Sequence, residues 1–236
     1  MNQPLVLIPG LMADARAFYP LITVLSHERA VMVAPPVRGE RIEEMASILL
    51  DQMPNRFALA GHGLGGVLAM EILRRAPDRV MRIALMNTHP LAETPQEAAE
   101  REMQIVKAKA GRLGDVLEAI FPPETLAPGT GRRDVQAMIH EMAMDLGPEV
   151  FVRQSRALQR RRDQQSTLRK CRVPTLVMGG AHDRLTPVKR QEFMAELIHN
   201  AALAVIPDAG HLPMMEAPGE VLDALHVWLS APMVLR

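Results

Sequence analysis

The chain has 236 residues, enough for one large α/β domain with a small insertion. Its 27 basic and 27 acidic residues leave no net charge, which argues against nucleic acid or an anionic membrane as a partner. One cysteine, Cys171, excludes an internal disulfide and points to a reduced, cytoplasmic setting.

The opening MNQPLVLIPG lacks a basic leader region and reads as a first strand rather than a signal peptide. No apolar stretch is long enough to cross a bilayer. Six short, nearly continuous apolar runs follow in order: 4–10, 30–36, 56–62, 81–87, 174–180 and 202–208. Such runs suit parallel strands covered on both faces. Helical periodicity lies between them. Residues 14–26 open on Asp14 as a cap, and 40–53 align Ile42, Met45, Ile48 and Leu49. Residues 64–76 follow a glycine-rich turn. Residues 187–199 open on Thr186 and Pro187, a cap followed by proline, and 218–231 open on Pro218. Regular alternation of strand and helix predicts an α/β fold: a doubly wound, mostly parallel sheet of about six strands.

Between residues 88 and 165 the alternation stops. Amphipathic segments at 93–110, 112–121, 131–146 and 148–163 are punctuated by FPPE, APGTG and LGP. The expected organisation is a core of residues 1–90 and 166–236, with 91–165 a helical lid over the carboxyl ends of the strands. Aromatics are 3% of the chain while methionines number 17, so a pocket lined by aliphatic and thioether side chains is expected. For any single methionine, core filling is the plainer reading. Residues 153–172 hold seven arginines, and this basic run reads as a solvated helix face and loop.

Four strand ends carry chemistry. The third is followed by GHGLGG (61–66), the frame of a nucleophile elbow G-x-S-x-G whose centre is Gly63 instead of serine. The fifth leads into GGAHDRLTP (179–187), presenting Asp183, and the sixth into DAGHLPMMEAP (208–218), presenting His211. The first ends in IPGLM (8–12). Elbow, Asp and His stand in the order of a hydrolase triad.

With these motifs the chain resembles the α/β-hydrolase family over nearly its whole length, and compact bacterial esterase-like members in particular. The shared features are Pro9-Gly10-Leu11 with Asp14, the elbow, the turn from Gly180 to Pro187 and the ending from Gly210 to Pro218. The resemblance implies a sheet trimmed to about six parallel strands. It implies His211 as general base, Asp183 as its partner, and the N–H groups of Leu11 and Leu64 as an oxyanion hole. Gly63 takes the nucleophile position, where no acyl-enzyme can form without an oxygen. Met12 and His89 are candidate substrate contacts. A small or medium, largely apolar carboxylic ester or lactone is the expected substrate. No cofactor, nucleic acid or membrane is expected, and the chain is expected as a monomer or homodimer. His62, His89, His182 and His211 lack the accompanying carboxylate spacing of a catalytic metal site, so no metal is expected.

Three readings of Gly63 stay open on the sequence. The chain is an esterase-type serine hydrolase whose nucleophile was removed, to trap a ligand or to stop turnover, or the glycine is natural and the protein a ligand-binding pseudoenzyme. In the third reading His211 and Asp183 act alone, activating water or abstracting a substrate proton in lyase-like or oxygenase-like chemistry.

Overall fold

Leu5 and Leu7 belong to one hydrophobic core, while Val6 and Ile8 belong to another. Successive strand residues point to opposite faces, so this strand is covered on both sides. A computed structural model describes residues 3–232, and within them six strands make one sheet. They are β1 (Leu5–Ile8), β2 (Val31–Val33), β3 (Phe57–His62), β4 (Val80–Met86), β5 (Thr175–Gly180) and β6 (Ala201–Ile206). Their order is β2-β1-β3-β4-β5-β6, and every neighbouring pair is parallel. A strand falls on each of the six predicted runs, with β4 and β6 starting one residue earlier than read. At the edges the covering thins: Leu203 and Val205 of β6 are 41% and 38% exposed, so the two-sided burial read from the sequence holds for the inner strands.

The helices are α1 (Tyr19–Leu25), α2 (Ile42–Leu50), α3 (Leu64–Arg75), α4 (Pro95–Lys109), α5 (Leu113–Ile120), α6 (Arg132–Gln159), α7 (Gln165–Arg169), α8 (Val188–Glu196), α9 (Pro213–Glu216) and α10 (Pro218–Ser230). One core takes Ile42, Met45 and Leu49 of α2, Val67 and Leu68 of α3, and Met194 of α8. The other takes Leu21 and Leu25 of α1 and Val221, Leu225 and Trp228 of α10. Ile48, expected on the buried face of α2, is half-buried.

Asp14 caps as predicted: its side chain accepts from the Arg16 N–H at the start of a short 3₁₀ turn leading into α1. Thr186 does not cap α8, because its hydroxyl is drawn to Asp183.

Between β4 and β5 lie α4, α5, α6 and the short α7. Thr94 and Glu97 close a capping box at the start of α4. The separate helices expected on either side of Leu146-Gly147-Pro148 meet without a loop. The chain bends at Gly147, with φ 78° and ψ 172°, where Pro148 removes a hydrogen bond. Ile105, Leu113, Leu117, Ile139 and Phe151 of this segment join the same core as α1 and α10.

Sheet order reverses between β1 and β3. In open α/β sheets this is where a crevice forms outside the carboxyl ends of the strands.

Candidate active site

β3 ends at His62 and α3 begins at Leu64, so Gly63 alone turns the chain. Its φ of 51° and ψ of −115° lie where residues with side chains are strained. The turn is fixed on both sides of Gly63. Its N–H donates to the Met86 carbonyl at 3.0 Å, and the Thr88 hydroxyl donates to its carbonyl at 2.8 Å. Gly61 and Gly65 are glycine for lack of room. A Cβ on Gly61 would stand 2.2 Å from the Gly65 carbonyl oxygen, and one on Gly65 2.0 Å from that of Ile8. Position 63 has space. A Cβ there would meet Gly10 Cα at 3.6 Å and His211 Nε2 at 3.9 Å.

His211 is held from three sides. Its Nδ1 lies 3.0 Å from Asp183 Oδ2. Its N–H donates to the Thr125 carbonyl at 2.8 Å, and its carbonyl accepts from His62 Nε2 at 2.7 Å. Asp183 Oδ1 accepts from the N–H groups of Leu185 and Thr186, and Oδ2 also accepts from Asn87 Nδ2 at 2.7 Å and the Thr186 hydroxyl at 2.5 Å. Burial works against a charge on Asp183, but His211 and these donors outweigh it and hold the carboxyl well below the usual range. A carboxylate accepts only, so Nδ1 of His211 carries a proton, and Nε2 faces the space beside Gly63.

Leu64 is the first residue of α3, so its N–H has no partner within the helix. Leu11 follows Gly10, whose Cα is packed against the turn at Gly63. Among the described residues, neither amide donates to another main-chain carbonyl in the turns and loops. Both residues line a cavity of about 340 Å³ with Gly63 and His211. Val67, Ile120, Phe121, Leu158 and Leu185 form its apolar wall, and His89, Glu93, Glu97, Arg101 and Arg161 its charged recess. No methionine is in this lining, contrary to the thioether pocket expected, and many of the methionines are buried in the core instead. Met12 also stands outside the lining. Its side chain is buried in the core, and its N–H donates to Gln154 Oε1 at 2.8 Å.

Of the four histidines, only His62 and His211 bring their rings together, with centroids 4.9 Å apart. His62 is fully enclosed, and burial with the neighbouring His211 lowers its pKa to about 3, so it is neutral and donates through Nε2. His182 is exposed, and His89 contacts Arg161. Among the described residues no group of three or more His, Cys, Asp or Glu side chains could hold a metal ion.

A profile described as the alpha/beta hydrolase family matches residues 5–224. The chain belongs to the α/β-hydrolase family. Within it, the chain is similar to the pimeloyl-[acyl-carrier protein] methyl ester esterase of Pectobacterium carotovorum, 26% identical over 98% of this chain and 95% of that protein. The same enzyme of Aromatoleum aromaticum is 28% identical over 78% of each chain. Among solved structures, a thermophilic esterase from Thermogutta terrifontis, determined with malate bound, superposes with a TM-score of 0.86 at 26% identity, covering 97% of this chain and 90% of that one.

Several residues of this α/β-hydrolase site escape sequence reasoning. Asn87, with φ 44°, turns β4 out of the sheet so that its amide reaches both Asp183 and the Gly210 carbonyl. An asparagine closing a strand is the one available signal, since Asn tolerates this conformation. Glu216 stands in the quoted ending, and its carboxylate accepts from the N–H groups of Gly210, Leu212 and Ala127. It thereby fastens the His211 loop to the segment between β4 and β5.

Proposed function

We propose that the chain is an esterase-type α/β-hydrolase for a small or medium carboxylic ester or lactone, with Gly63 in the place of the nucleophile. The observation that carries this reading is the open 3.9 Å between His211 Nε2 and the Cβ position of residue 63. A serine hydroxyl fits there within hydrogen-bond reach of a base already oriented by Asp183. The likeness to two ester hydrolases and a thermophilic esterase supports the reaction class.

In this reading the serine-bearing form attacks the ester carbonyl as His211 Nε2 takes the hydroxyl proton. The N–H groups of Leu11 and Leu64 receive the developing oxyanion, and His211 returns the proton to the leaving alcohol. The helical segment 91–165 caps the cavity and shapes the acyl site. With glycine the first step has no oxygen. Loss of a triad serine costs on the order of 10⁶ in kcat, so the chain as it stands is inactive or nearly so by this route.

The test compares the chain with its Gly63→Ser variant on methyl and p-nitrophenyl esters of short and medium acids. The expected result is a burst and turnover in the serine variant, abolished by His211→Ala. The reading fails if the serine variant stays inactive while folded. Activity of the glycine form that vanishes in His211→Ala would instead favour His211 and Asp183 acting on water. That alternative rests on the same free Nε2 and the room at Gly63.

A further inference from the structure

Arg161 lies just past the end of α6 and lines the cavity. Its neighbour Arg162 behaves as the basic run predicts, with a side chain 74% exposed and paired to Glu43 at 3.0 Å. Arg161 is turned the other way. Its Nε is shut off from solvent and has no hydrogen-bond partner, and its Nη2 meets His89 Nε2 at 3.1 Å.

The acids nearby are engaged in part, since Glu93 Oε2 is itself buried without a partner. Glu93 Oε1 accepts from Arg101 at 2.7 Å, and Glu97 accepts from the Thr94 N–H at 2.7 Å in the capping box. Among the described residues no carboxylate lies within ion-pairing distance of Arg161. The charges acting on it are Glu93 and Glu97 against Arg101 and Arg190, and within the lining itself Glu93 and Glu97 balance Arg101 and Arg161. Burial draws the guanidinium down to about 10, which leaves it charged at neutral pH.

His89 supplies a second free donor. Burial, with Arg161 and Arg190 near, lowers its pKa to about 4, so the ring is neutral. Its Nε2 accepts from Arg161, so its proton is on Nδ1, which is also buried without a partner. Two buried N–H donors left unpaired beside one cavity are costly.

We propose that Arg161 and His89 form a carboxylate subsite, so that the preferred substrate carries a free acid group remote from the ester, as in a half-ester of a dicarboxylic acid. The guanidinium edge matches a planar carboxylate in shape and charge. The inference rests on the cavity being the ester site, as proposed above. It deepens that reading by making the far end of the ligand anionic where the sequence pointed to an apolar one.

The glycine form suits an equilibrium test, because it should hold an ester without turning it over. Binding of monomethyl and dimethyl esters of succinic, glutaric and adipic acids is measured by calorimetry. For at least one chain length the half-ester should bind about 10-fold or more tightly than its diester, as expected for a hydrogen bond to a charged group. Arg161→Gln should remove that preference while leaving diester binding within about 2-fold. Arg161→Met should keep or raise Tm, showing that the loss is not unfolding. Equal binding of half-esters and diesters, or a preference that survives Arg161→Gln, overturns the subsite. Kinetics in the Gly63→Ser background separate the two readings. Turnover without half-ester preference sinks the subsite alone, and Arg161-dependent binding without turnover sinks the esterase reading alone.

Discussion

The ring of His62 donates from Nε2 to the main-chain carbonyl of His211 at 2.7 Å, tying the residue before the elbow turn to the histidine that Asp183 orients. The bond forms with the His62 ring neutral, and its enclosure keeps it so down to about pH 3, whereas an ordinary histidine titrates near 6.5. In the unfolded chain His62 therefore takes up a proton between these values, and the folded chain does not. The stability this contributes is complete above about pH 6.5 and is lost as the pH falls toward 3, with a slope of at most about 1.4 kcal/mol per pH unit. His89, lowered to about 4, acts in the same direction. Urea unfolding followed from pH 7 to pH 4 should show stability falling before the carboxylates titrate. His62→Gln should flatten that slope, and an unchanged slope would show that His62 is not enclosed as described.

Asn87 tests the support of Asp183. Asn87→Gly removes the amide without forcing a side chain into the positive φ of this residue. In the Gly63→Ser background kcat should fall roughly 10-fold with KM little changed, because a donor to a charged group is lost behind the reacting atoms. An unchanged kcat would mean that Thr186 and the amides of Leu185 and Thr186 suffice.

Gln154 bridges the loop after β1 and the chain after β2. Its Oε1 accepts from the Met12 N–H at 2.8 Å, and its Nε2 donates to the Pro36 carbonyl at 3.0 Å. Both main-chain groups lose their partner in Gln154→Ala. The expected cost is about 2 kcal/mol or more by denaturant titration, and ester turnover in the serine background should fall with it as the Leu11 amide loses its support. A cost below about 0.5 kcal/mol would show that water replaces the side chain.

Gly63→Ser should exchange stability for activity. Serine enters the positive φ of residue 63, at a cost of about 1–2 kcal/mol. A lower Tm accompanying new ester hydrolysis is the expected pair of results. A raised Tm would show that the turn relaxes when a side chain is present.

What the sequence discloses follows from how locally each feature is encoded. The strands, the elbow, Asp183 and His211 are legible because each lies in one continuous stretch with its own turn chemistry. The bonds that set the site's geometry join distant residues: Asn87 meets Asp183 across 96 positions, and Met12 meets Gln154 across 142. No local pattern announces such pairs. Thr186 misleads for a related reason, since a hydroxyl before Pro187 looks like a helix cap until Asp183 competes for it. Arg161 and Arg162 are adjacent and chemically identical. Only the packing of the chain beyond the bend at Gly147 turns one inward and leaves the other in water.

That bend has a mechanical consequence. Before it, Glu141 and Asp145 hold Arg16, and after it Gln154 holds Met12, so the two halves of α6 grip the loop after β1 at two points. On the opposite side Thr125 and Ala127 are fastened to His211 and Glu216. The segment between β4 and β5 is thus tied down at both flanks, by α6 to the loop after β1 and by residues 125–127 to the loop that carries His211.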